Sequence, residues 1–295
     1  MKRIVFHHND NDGKAAAAVI YQTYKILGYD IDKFISVNYN TTIPISDLID
    51  DGDIVYIVDY SFTKVTVQNL INISKKASEL YWFDHHVSSL EVYDDIIKNN
   101  ICTDVIVNTD ICAAYIIFNY FVNKGIITNK TFSYMKQILR YVDDYDRWIH
   151  KYPESLFFNI GSQCENTEPT STFWLTIPEF TIEKGRNIND YLIKKNSELT
   201  QYNGFIIKIN GHECIVLNTP ESSSKVFGTM YDKYKFAIRF VFNGKNYSYS
   251  IYSQLPDINC AKLAQRFNPR GGGHKGAAGF VSDKILFKEG QVFVI

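Results

Sequence analysis

Three short apolar runs early in the chain each stop at a carboxylate or an imidazole, and no other feature constrains the fold as tightly. "KRIVF" runs into "HHNDNDG", "DIVYIV" into Asp59 of "VDYSF", and "ELYWF" into "DHH". Helix-type segments separate them: "KAAAAVIYQTYKILGYD", alanine-rich with a stop at Gly28, and "KVTVQNLINISKKA", with apolar residues at helical spacing. Short apolar strands alternating with helices predict an α/β fold with a parallel sheet, whose crossovers cover both faces. Ligands of such sheets collect beyond the carboxyl ends of the strands, so the turns after Phe6, Val58 and Phe83 are predicted to converge.

Those turns are electrostatically overloaded. His7, His8, Asp10 and Asp12 crowd the first, Asp59 the second, and Asp84, His85 and His86 the third. Farther along, "DICAAYIIFNYFVNKG" and "KTFSYMKQILRYVDDYDRWIH" have helical spacing, and the second closes on Asp143, Asp144 and Asp146. Carboxylates at a helix C-terminus oppose its dipole, and like charges a few ångströms apart cannot all stay ionised unaided. Carboxylate with imidazole and no thiolate suits manganese, magnesium or iron better than structural zinc, and two cations sharing one aspartate would neutralise the set. Each segment alone has a plainer reading: an Asx-rich helix cap, a strand-end cap, a solvated loop and a solvated helix end. Their joint occurrence in this order favours the cation site.

Composition removes several alternatives. With 295 residues, 45% hydrophobic and 21% charged, the chain has ordinary globular values and length for two domains, which excludes disorder and fibre. The net charge of -1 gives no global attraction for long nucleic acid. Cys102, Cys112, Cys164, Cys214 and Cys260 are scattered with no CxxC pair, which argues against a disulfide framework or zinc ribbon and fits a reducing cytoplasm. No apolar run of about 18 residues occurs, so a soluble protein with no membrane partner is expected.

Residues 183–203 read as a charged helix between two halves, followed by the strand-like "FIIKING", "ECIVLN", "KFAIRFVF" and "YSYSIYS". The expected organisation is a parallel-sheet domain over 1–183, a connector helix over 184–204 and a smaller α/β domain over 205–295. Near the end, the glycines of "NPRGGGHKGAAGF" would let the backbone approach a ligand, with His274 and Lys275 as donors. Converging N–H groups followed by a helix start make an anion site, and a hairpin is the plainer alternative.

Together these segments resemble the DHH phosphoesterase superfamily, which includes RecJ nucleases, nanoRNases and cyclic-dinucleotide phosphodiesterases. "HNDNDG" is similar to its first motif, Asp59 in "VDYSF" to the second, "DHH" to the third, Asp144 or Asp146 to the fourth, and "GGGHKGAAG" to the signature of the associated C-terminal domain. The resemblance spans nearly the whole chain. It implies a two-domain enzyme with a dinuclear site, usually manganese with magnesium or iron as alternatives, in the cleft between the lobes.

The implied ligands are His8, Asp10, Asp12, Asp59, His85 and Asp144, with Asp59 bridging; His7 is the alternative to His8, and Asp143 or Asp146 to Asp144. Asp59, Asp84, His85 and His86 form the implied catalytic group, in which Asp84 orients a histidine. His86, Arg270, Gly271, Gly272, Gly273 and His274 are implied to hold the substrate phosphate. Many relatives carry Arg-Ser on the strand before the glycine turn, where "SIYSQ" places Tyr252 here, leaving Arg270 or Lys275 to supply the charge.

The compact form is most similar to the B-type nanoRNases. That likeness implies manganese-dependent hydrolysis of short oligonucleotides or dinucleotides. Alternatives are a phosphoesterase for cyclic dinucleotides or 3′,5′-bisphosphate nucleotides and a catalytically idle nucleotide-binding protein. A homodimer is compatible with the architecture.

Overall fold

The computed structural model describes residues 1–38, 45–221 and 223–294, which divide into two compact units, Met1–Asn187 and Ile188–Ile295. The first unit runs β1 (Arg3–His8), α1 (Asn11–Ile26), β2 (Lys33–Val37), β3 (Ile54–Val58), α2 (Val67–Ser74), β4 (Glu79–Asp84), α3 (Leu90–Lys98), β5 (Asp104–Val107), α4 (Ala113–Asn123), α5 (Ser133–Asp146) and α6 (Pro153–Ser162). Its five strands are all parallel, in the order β2-β1-β3-β4-β5.

Alternation along the strands builds two cores, one on each face. Val5, Tyr56, Val58 and Phe83 pack against the alanines of α1 and the apolar stripes of α4 and α5. Ile4, Phe6, Val55, Ile57 and Trp82 pack on the other face with Leu70 and Ile73 of α2 and Val92 and Ile96 of α3. All five residues of β3 are buried, which is why it reads as an unbroken apolar run.

The helix expected from residue 184 begins earlier, at Pro178, where proline suits the first helical turn; α7 (Pro178–Asn203) continues from the first unit into the second. The second unit adds β6 (Phe205–Ile209), β7 (His212–Asn218), α8 (Thr229–Tyr234), β8 (Phe236–Phe242), β9 (Tyr247–Ser253), α9 (Cys260–Phe267), β10 (Gly272–Gly273), β11 (Ala277–Ser282) and β12 (Val292–Phe293). These strands form a mixed seven-stranded sheet, β10-β11-β9-β8-β7-β6-β12. One face of it packs Phe236, Ile238, Tyr249 and Ile251 against Cys260, Leu263 and Ala264 of α9. Among the described residues, no helix is long and apolar enough to cross a membrane.

Candidate metal centre

In the first sheet, β1 and β3 are neighbours whose connections leave in opposite directions, β1 toward β2 and β3 toward β4. That reversal opens a crevice beyond the carboxyl ends of β1 and β3, and the overloaded turns lie there. His8 closes β1, and Asp10 caps α1, its Oδ1 accepting from the Gly13 N–H (2.9 Å) and its Oδ2 lying 2.6 Å from His8 Nδ1. The glycine at position 13 is required by close approach, since a Cβ there would lie 2.4 Å from the His8 carbonyl oxygen. Asp12, in the first turn of α1, accepts from the N–H groups of Ala113 (2.8 Å) and Ala114 (2.9 Å) at the start of α4. One carboxylate therefore ties two helix starts to the same spot.

Asp59 follows β3 directly and has φ 56°, the left-handed region that aspartate tolerates better than most residues. Its N–H donates to the Phe83 carbonyl (2.9 Å), so the chain curls off the sheet at this residue. The carboxylate is buried, and neither of its oxygens has a hydrogen-bond partner among the described residues. Instead imidazoles surround it: His85 Nε2 at 3.3 Å, His8 Nδ1 at 3.8 Å and His86 Nδ1 at 3.9 Å. His85 Nε2 also lies 3.6 Å from Asp12 Oδ2 and 3.3 Å from Asp146 Oδ2.

The result is three overlapping triads, His8-Asp10-Asp59, Asp59-His85-His86 and Asp12-His85-Asp146, the donor atoms of each lying within 4.8 Å of one another. Asp59 and His85 each belong to two. Oxygen and imidazole donors at this spacing, centred on an orphaned buried carboxylate, fit hard or borderline divalent cations.

The electrostatics show the same need. Burial, then the charges of Asp146 and Asp10, push the Asp12 carboxyl up to about 8. Burial and the neighbouring Asp12, Asp10 and Asp146 hold Asp59 well above the usual carboxylate range. Asp146 rises to about 6 through burial and the charge of Asp10. Burial also pushes Asp10 up, but the hydrogen bond and charge of His8 outweigh it and bring Asp10 to about 2. Burial, then the charge of His86, lowers His85 to about 4, leaving a neutral imidazole fit for coordination.

Asp84 is fully buried and plays a different part. It accepts from His86 Nδ1 (2.7 Å) and from the hydroxyl of Ser89, which itself bonds Ser61 Oγ (3.0 Å). Burial pushes the His86 imidazolium down, but the hydrogen bond and charge of Asp84 outweigh it, so His86 holds its proton more tightly than usual. Ser61 and Ser89 were not singled out from the sequence; their signal is a hydroxyl two residues after Asp59 and another three residues after His86.

One sequence expectation differs in placement, and two of the alternatives lie away from the cluster. Asp144, expected among the ligands, is not brought into the cluster: its Oδ1 accepts from Lys151 N–H (2.8 Å) and its Oδ2 from Tyr152 N–H (3.1 Å). Asp146 stands beside His85 instead. Asp143 bonds the Cys112 N–H (2.7 Å) ahead of α4. His7 is buried on the opposite side of β1 from His8, and its Nδ1 donates to the His8 carbonyl (2.8 Å).

In the second unit, the glycine turn leads into β11 and not into a helix, so no helix dipole acts there. β10 and β11 form a tight hairpin closed by the His274 N–H donating to Ala277 (2.7 Å), with Gly273 at φ 144° where a Cβ would meet the Ala277 oxygen at 2.6 Å. Arg270, Gly272, Gly273, His274 and Lys275 are exposed, and Gly271 is buried against α9. Tyr252 lies between Ala237 and Ala277 in register and packs near Phe227. A residue missed from the sequence is Arg239 of β8, buried with its Nε donating to Ser250 Oγ (3.0 Å), one inward-facing position along from the Tyr252 pair.

No family model and no curated protein matches the sequence. Solved structures do match. A pGpG-specific phosphodiesterase from Vibrio cholerae shares 15% identity at TM-score 0.53, over 96% of this chain and 94% of that one. The DHH domain of a protein assigned to a family of ribosomal proteins shares 13% at TM-score 0.54, over 95% of this chain and 82% of that one. With a parallel sheet ending in "HNDNDG", "VDYSF" and "DHH" and a second unit bearing "GGGHKGAAG", this chain has the fold of these two structures, the second of which is a DHH domain.

Proposed function

We propose that this chain is a divalent-metal-dependent phosphodiesterase that cleaves short oligonucleotides or dinucleotides. The observation that carries this reading is Asp59, a buried carboxylate with no hydrogen-bond partner among the described residues, shared between two of three overlapping donor triads. His8, Asp10, Asp12, Asp59, His85 and Asp146 would hold the cations, with Asp59 between them and manganese as the expected metal. Bound there, such ions supply Lewis-acid polarisation of a phosphoryl group and an activated water.

The protein's own groups do the rest. His86, held by Asp84, whose hydrogen bond and charge favour its protonated form, would donate to a phosphate oxygen. The Ser61-Ser89-Asp84 chain fixes the orientation of its ring. In the second unit, Arg270, Gly271 to Gly273, His274 and Lys275 are assigned to grip the substrate phosphate, with the exposed side chains of Arg270, His274 and Lys275 as its donors. Short substrates are favoured by the net charge of -1, which gives long nucleic acid little to hold. The Vibrio neighbour is named for pGpG, itself a dinucleotide, which agrees in size class. The proposed setting is the cytoplasm, and a homodimer is compatible with this architecture.

The test is manganese-dependent hydrolysis of a 5′-labelled ladder from two to about twenty nucleotides, with cyclic dinucleotides alongside. Rapid release of mononucleotide from the shortest oligomers, lost in Asp59→Asn with folding intact, supports the reading. Nucleotide binding without turnover under any divalent cation overturns it in favour of a sequestering protein.

A further inference from the structure

Immediately after Asp146 the chain makes an unusual excursion. Trp148 has φ 56° and His150 φ 52°, two bulky residues in the left-handed region within three positions. Asp144 pins this loop from inside: its carbonyl accepts from the N–H groups of Ile149 (3.0 Å) and His150 (3.3 Å), and its carboxylate from those of Lys151 and Tyr152. Backbone held in a disfavoured region by a buried anchor marks a position where the side chain's direction is specified.

That direction is outward. Trp148 is 77% exposed, while Trp82 and Trp174 are fully buried. Its indole lies nearly parallel to the Tyr145 ring (centroids 6.4 Å apart, 25° between planes), and His150 meets it edge-on at 5.1 Å. Tyr145 and Trp148 line a cavity of about 140 Å³ together with Asp10, Asp12 and Asp146. The aromatic group and the candidate metal ligands thus share one space within the first unit.

Resting on the phosphodiesterase reading, we infer that Trp148, backed by Tyr145, is a stacking platform for a nucleobase of the substrate whose phosphate is cleaved at the adjoining carboxylate cluster. An exposed indole lining the same cavity as carboxylates that would hold cations suits a flat neutral ring linked to a phosphate better than an aliphatic or acidic partner. Stacking on a single aromatic is sequence-tolerant, since every base has a π-face. The platform therefore selects for nucleotides as a class and not for one base.

Because Trp148 is the exposed one of the three tryptophans, intrinsic fluorescence reports on it directly. With magnesium present, AMP is expected to quench the emission excited at the red edge and ribose 5-phosphate to leave it unchanged, at two protein concentrations alike. Trp148→Ala should raise KM for a dinucleotide about tenfold with little change in kcat, Trp148→Phe should recover most of the loss, and a dinucleotide analogue lacking its bases should not respond to either substitution. Hydrolysis that proceeds while AMP leaves the fluorescence unchanged overturns the platform and leaves the phosphodiesterase reading intact. Quenching by AMP without hydrolysis of any oligonucleotide keeps the platform and overturns that reading. Emission that follows protein concentration and ignores AMP assigns the indole to self-association and also overturns the platform.

Discussion

Replacing Asp59 with asparagine in the metal-free protein should stabilise it while abolishing its response to cations. Both oxygens of Asp59 are buried without a hydrogen-bond partner among the described residues, and burial, then Asp12, Asp10 and Asp146, opposes its ionisation. Asparagine keeps the shape and also tolerates left-handed backbone, so φ 56° adds no new strain. Relief of a buried, uncompensated carboxylate is worth about 2–4 kcal/mol. For a domain of this size, that corresponds to a rise in Tm of roughly 5–15 °C.

The pH dependence has a definite sign. The folded pKa of Asp59 is raised, so the wild type keeps this residue's contribution below the unfolded carboxylate value and loses it as pH rises. The advantage of Asp59→Asn should therefore be large at pH 8 and small at pH 5. Thermal unfolding followed by circular dichroism, in chelator and in saturating manganese or magnesium, measures both effects. Divalent cation should raise the wild-type Tm and barely move that of the variant. A variant less stable than wild type in chelator at pH 8, or one stabilised equally by metal, refutes the reasoning.

The metal-free wild type should itself lose stability between pH 5 and pH 8, as Asp146 (about 6) and Asp12 (about 8) are forced to ionise; denaturant titrations that show stability rising over that interval contradict this. Gly13→Ala should cost roughly 1–3 kcal/mol, since its Cβ would meet the His8 backbone and not a movable side chain, and equilibrium denaturation at wild-type level would disprove the close approach. Calorimetric titration should separate two neighbouring aspartates: Asp146→Asn weakens manganese binding at least tenfold, whereas Asp144→Asn leaves it near wild type and lowers stability by about 1–3 kcal/mol. The reverse pattern would restore Asp144 as the ligand.

The convergence of three turns was legible because it follows from backbone geometry alone. Short apolar runs separated by helices make parallel strands, and parallel strands point their carboxyl ends one way. Hence His8, Asp10, Asp59 and His85 are adjacent in space as their order predicts. The choice within "DDYDRW" was not legible. Asp144 and Asp146 lie on one helix about 200° apart around its axis, so one faces the cluster and the other faces away, and which does so depends on how α5 packs against α1.

The turn after Arg270 carries the same lesson. "KGAAGF" is compatible with helix or strand locally, and pairing of Ala277–Ser282 with β9 decides for strand. The tertiary structure also created what no local pattern announces: the outward placement of Trp148, with Asp144 holding four N–H groups of the following loop, and the burial of Asp59 beside the imidazoles with no hydrogen-bond partner among the described residues. Residue order determined which chemical groups meet at the strand ends. Packing decided which face each presents and which charge is left without a partner, because those depend on helix rotation and desolvation, which belong to the folded chain as a whole.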